Sequence, residues 1–83
     1  MKIGTLVVVR WNDAHSDHGW VEVQDVNTSP DRVASVGWVI KDTPEAVTLA
    51  ADVDPKHPGK RSVNRSMCIP HGMVLSIEEL VLP

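Results

Sequence analysis

The stretch "DPKHPGKRSVNRS", residues 54–66, sets Lys56, Lys60, Arg61 and Arg65 against one acid, Asp54. It carries +3 in a chain whose formal net charge is −3. Clustered guanidinium and ammonium groups suit phosphate, because each makes charge-assisted hydrogen bonds, and backbone N–H groups of a Gly-containing loop can add to them. Lys60, Arg61 and Arg65, flanked by Gly59 and Ser62, are the candidate anion contacts. The "GK" at 59–60 is not a Walker phosphate loop, since the position five before Gly59 holds Asp54 rather than glycine. Connections this long within a small domain tend to be functional or disordered. The plain alternative is a solvated loop whose charges aid solubility. In a symmetric ring such loops would converge and add their fields.

The aromatic residues are Trp11, Trp20 and Trp38, with no Phe or Tyr. Indole can stack on a base or another planar ring. Trp11 and Trp38 follow the inward alternation of their segments and are expected in the core. Trp20, directly after Gly19, is the candidate for an exposed stacking or interface residue.

The third cluster is "DAHSDH", with Asp13, His15, Asp17 and His18. Histidine with carboxylate can bind zinc, but the paired spacings of structural sites are missing and Cys68 has no cysteine partner, so no metal is expected. His15 and His18 are instead candidates for the wall of a binding pocket. Catalytic arrangements fare worse. Cys68 and His71 could act as nucleophile and base, yet Cys68 sits between Met67 and Ile69 in an apolar segment where thiols are buried and inert. Ser16 beside His15 and Asp13 is no triad, because triads are assembled in space rather than in sequence. The expectation is a protein without enzymatic activity and without a cofactor.

Eighty-three residues, 42% hydrophobic and 23% charged, make one soluble domain over 1–83. No apolar run approaches the roughly 18 residues of a membrane span. A lone cysteine excludes an internal disulfide and fits a reducing compartment, so a cytoplasmic location is expected. The small core and the free edges of its strands favour assembly into a homo-oligomer.

The elements that must position these residues read as strands. "IGTLVVVRWN" (3–12) carries Val7, Val9 and Trp11 on one face and Leu6 and Val8 on the other, suiting burial on both sides. A loop follows, then "WVEVQDV" (20–26), a short strand or an irregular arm, and a turn at "NTSPD" (27–31). "RVASVGWVIKD" (32–42) is a strand with Ala34, Val36, Trp38 and Ile40 inward, and Gly37 in its middle predicts bending, a bulge or a close backbone approach. "TPE" turns the chain into "AVTLAADV" (46–53), with Val47, Leu49, Ala51 and Val53 inward. The basic loop leads to a short strand, "SMCIP" (66–70). "MVLSIEELVL" (73–82) suits a strand by its alternation and context, with a helix as the alternative. About five short strands joined by turns imply an all-β domain: a small, strongly curved five-stranded barrel of the SH3-like or Sm-like class.

The order of "VVVRWNDAHSDHGW", "VASVGWVIKDTPEAVTLAADV" and "CIPHGMVLSIEEL" resembles a family of short phage- and prophage-encoded proteins. In that family "W-x-D" precedes "G-W", a "S-V-G-W" strand precedes an acidic turn and a "V-x-L-A" strand, and the chain ends in "I-P…I…L". The resemblance covers most of the chain except the basic loop. It implies a phage origin, a small β-barrel and no enzymatic activity. The closing "IP…I…L" is also similar to the final strands of Sm-like barrels.

These readings converge on a non-catalytic binding protein that sequesters a small anionic, nucleotide-type ligand such as a host-defence signal. Lys60, Arg61 and Arg65 would pair with phosphate, with Trp20, His15 and His18 in the pocket wall. The second reading is a phage structural or host-inhibitory adaptor that binds a host protein through strand edges and Trp20. A third is Sm-like binding of nucleic acid, which the net negative charge disfavours for a long polyanion.

Overall fold

The computed structural model describes residues 1–81; the end of the expected last strand at Leu82, and Pro83, lie outside the described residues. Five strands form one antiparallel sheet: β1 (Leu6–Asp13), β2 (Asp31–Asp42), β3 (Ala46–Asp52), β4 (Asn64–Pro70) and β5 (Val74–Glu79), in the order β4-β3-β2-β1-β5. The last segment is therefore a strand, preceded by a single 3-10 turn at His71–Met73. Residues 20–26 form no strand; a 3-10 turn at Val23–Asp25 takes their place. None of the described helices is long and apolar enough to cross a membrane.

The core follows from β-branched residues alternating on paired strands. Val7 and Val9 of β1, Val39 of β2, Val47 of β3 and Ile69 of β4 are 0% exposed, with Leu49 beside them, and Trp11, Val74 and Ile77 pack against this cluster. Val8 is also buried, as the double-sided reading of β1 requires. The described residues provide no helical layer over the inner face, so complete burial requires the sheet to bend across its own core. Two register shifts, between Val39 and Lys41 and between Arg10 and Trp11, supply part of that bend. The 3-10 turn at His71–Met73 packs against both β1 and β3. It is tied to the β2–β3 turn by His71 N–H donating to the Glu45 carbonyl (2.9 Å) and by His71 Nε2 lying 2.8 Å from Asp42 Oδ1.

The sheet is not closed. β4 and β5 are its edges, and the short turn after Pro70 sends β5 to β1 instead of back along β4.

Three expectations about side-chain direction are corrected. In β2 the inward set is Val33, Ser35, Gly37 and Val39, not Ala34, Val36, Trp38 and Ile40. Register explains the reversal, because Val7, Val9 and Trp11 stand opposite Gly37, Ser35 and Val33, and directly opposed residues share a face. The bulky residues of β1 are accommodated by small ones on β2. A Cβ on Gly37 would meet the Ala50 carbonyl oxygen and the Leu49 Cβ at 3.0 Å each, so glycine there permits β3 to approach. Trp11 Nε1–H donates to Ser35 Oγ (3.0 Å), whereas Trp38 lies on the outer face, half-buried with Leu6, Pro58 and Leu80 around one hollow. In β3, Val47 and Leu49 are buried as expected, but Ala51 is exposed and Val53 only half-buried. Cys68 is exposed, because the edge strand β4 buries only Ile69 of its seven residues.

Candidate functional site

The two ends of β1 carry the two candidate regions. Before β1, Gly4 and Gly59 interlock. Gly4 has φ +88° and a Cβ there would sit 2.8 Å from the Pro58 carbonyl oxygen; Gly59 has φ +85° and a Cβ would meet Ile3 at 2.5 Å. Both angles and both contacts require glycine. The basic loop is thus pinned at Pro58–Gly59 against Ile3–Gly4, with internal turns closed by His57 N–H on the Asp54 carbonyl and Lys60 N–H on the His57 carbonyl, each 3.0 Å.

Lys60 and Arg61 follow the pinned point and are exposed; Arg61 adopts the left-handed conformation (φ 60°). Arg65 also lies in that region (φ 52°), and its guanidinium grips Asp52 in a fork, Nε to Oδ2 at 2.8 Å and Nη2 to Oδ1 at 3.0 Å. The fork holds the Asp52 carboxyl below its usual range. Arg65 is therefore already neutralised by a neighbour. Among the described residues, Lys60 and Arg61 line neither the hollow beside Pro58, with Lys2, Leu6, Trp38 and Glu79, nor the one between the ends of the loop, with Asp54, Ser62 and Val63.

After β1 the chain leaves the sheet at Asp13 and returns at Asp31, a pair that closes the β1–β2 ladder. The connection, residues 14–30, projects as an arm. β2, the longest strand, accounts for at most about 40 Å of the molecule's 54 Å long axis. Trp20 is 104% exposed and Val23 88%, with Val21 and Val26 also exposed. Asp13, Asp17, Glu22, Asp25 and Asp31 make this segment strongly acidic, with no lysine or arginine among them.

His15 clasps the base of the arm. Its Nδ1 lies 3.0 Å from Asp31 Oδ1 and its Nε2 3.0 Å from Asp17 Oδ1. Both nitrogens can donate only in the imidazolium form, and the hydrogen bond with Asp31, then that with Asp17, raises the His15 pKa. His15 and His18 line one hollow of about 460 Å³ together with Asp17, Val21, Asp25 and Val26. Its polar lining pairs Asp17 and Asp25 with His15, His18 and Asn27 and includes no lysine or arginine, so it lacks the fixed cations an anion site would use. Among the described residues no cluster of three or more His, Cys, Asp or Glu side chains is placed to hold a metal ion.

The candidate residues therefore fall into two groups. His15, His18 and Trp20 share the arm; Lys60 and Arg61 follow the pinned loop, and Arg65 begins β4. From Gly4, where the loop is pinned, to Asp13, where the arm departs, runs roughly 30 Å of extended chain. One molecule does not bring Lys60 or Arg61 to Trp20. The sequence reading missed Val21, Val23 and Val26 as exposed partners of Trp20. Their signal was the "WVEVQDV" segment, which is apolar enough for a strand but lacks the clean alternation of one.

Comparison with family models, with curated proteins and with solved structures gives no match. The resemblance to the phage-encoded family rests on its motifs alone.

Proposed function

We propose that this protein is a non-catalytic protein-interaction module, a small curled β domain of SH3-like or Sm-like type that engages a protein partner through the arm 14–30. One observation carries the reading: an arm lifted off the sheet displays Trp20, Val21, Val23 and Val26 to solvent while the sheet seals its own core. Exposed tryptophan beside aliphatic residues is the composition of an interface centre, and acidic residues around it supply a polar rim. This favours the adaptor reading, phage structural or host-inhibitory, over an anion-binding one. The loop at 54–66 has the charge for phosphate, but Arg65 is committed to Asp52, and the arm residues meant to complete the pocket stand at the other end of β1. A long nucleic acid would meet the acidic arm.

The test is site-specific photocrosslinking in the producing cell. A crosslinker at position 20 traps a defined protein, whereas one at Lys41, on β2 away from the arm, does not. Equal trapping at both positions, or none at position 20, would sink the reading.

A further inference from the structure

The arm needs something to bind, and the same chain carries a surface that matches it. Between β2, β3 and β4 lies an apolar groove of about 230 Å³, lined by Val36, Leu49, Ala51 and Met67 together with Ser35 and Arg65. Val36 (59% exposed) and Met67 (46%) are open to solvent although they sit beside a sealed core. The groove takes apolar groups; Arg65 on it is paired with Asp52, but Lys56, Lys60 and Arg61 of the same segment outnumber Asp54 and leave the loop positive. The arm is its complement: Trp20 and three valines for the groove, and Asp17, Glu22 and Asp25 opposite in sign to the basic loop. In its own chain Trp20 does not occupy this groove, since it is fully exposed and absent from the groove's lining.

We infer that the partner of the arm is a second copy of this chain, with Trp20 of one copy seated in the Val36–Leu49–Met67 groove of the next and the acidic arm lying against the neighbour's basic loop. The inference rests on the reading of the arm as a protein-binding element and names its occupant. Arm and groove are different patches, so the contact is heterologous and propagates head to tail into a closed ring or a chain. Opposite charges set the docking direction and make the association weaken with salt. The charge anomaly of 54–66 then has a use without any small ligand.

Sedimentation or light scattering over a range of concentrations tests this with complementary variants. The parent self-associates, less at high salt. Trp20→Ser and Met67→Glu each weaken association at least about tenfold. Mixed together they form a one-to-one dimer and nothing larger, because the first still offers a groove and the second still offers an arm. Val36→Glu gives a second groove variant, and circular dichroism confirms that each variant keeps its sheet. Association that survives both substitutions, or a mixture of folded variants that stays monomeric, overturns the inference. A monomeric parent also overturns it; if the crosslinker at position 20 still traps a different protein, the arm reading stands and only the second copy is removed, and if it traps nothing both are lost.

Discussion

Valine has opposite fates in two parts of this molecule. Val7, Val9, Val39 and Val47 are completely buried in the sheet, while Val21, Val23 and Val26 stand exposed on the arm. Each group comes from segments rich in valine, so residue type does not separate them. Pairing does. The sheet valines face Gly37, Ser35, Leu49 and Ile69 across registered ladders, whereas "WVEVQDV" follows a polar loop and precedes a turn with no strand beside it. An apolar residue without a paired neighbour contributes nothing to this fold and is free to serve another surface. Burial here is a property of partners more than of hydrophobicity.

That contrast can be broken at either end. The largest effect is expected in the core: Ile69→Ala removes a fully buried side chain from the only inward position that β4 seals, at a cost of about 2–5 kcal/mol. A denaturant melt whose midpoint barely moves would show that β4 is dispensable to the core. Next is the interlock. Gly4→Ala forces a side chain into the left-handed region and against the Pro58 carbonyl, for about 1–3 kcal/mol. The same melt, with proteolysis of residues 54–63 accelerated, checks that the basic loop is held there.

On the arm, Trp20→Ser should change monomer stability by less than about 0.5 kcal/mol, because the indole makes no contact within the chain. A large loss would mean that the arm is part of the fold. The smallest effect concerns pH. The folded pKa of His15 is raised above its unfolded value by Asp31 and Asp17, so its hold on the arm is complete below the unfolded value of about 6.5 and is lost as pH rises through the folded pKa. Nuclear magnetic resonance of the arm amides should show growing mobility across that rise in the parent and none of that pH dependence in His15→Gln.

Much of the fold was legible. Alternation and turn residues gave all five strands with their ends shifted by a few residues, the "TPE" turn, which Thr43 closes by donating its N–H to the Ala46 carbonyl (2.9 Å), and the pressure of a neighbouring backbone at Gly37. Such signals are local and survive in one dimension. The exposure of Trp20 was legible too, because Gly19 and a polar loop precede it.

The chain's own order of residues determined which segments are strands, where they turn and that one loop is basic. Tertiary pairing decided the rest. A strand has two faces, and period-two alternation cannot say which is inner; β2 turned its smaller set inward because Val7, Val9 and Trp11 already filled that space. Nor could sequence show that Gly4 and Gly59 pin the basic loop at one end of β1 while the arm leaves from the other. Segments that look like two halves of one site became two distant surfaces, because a strand is stiff and sets its ends apart by its length.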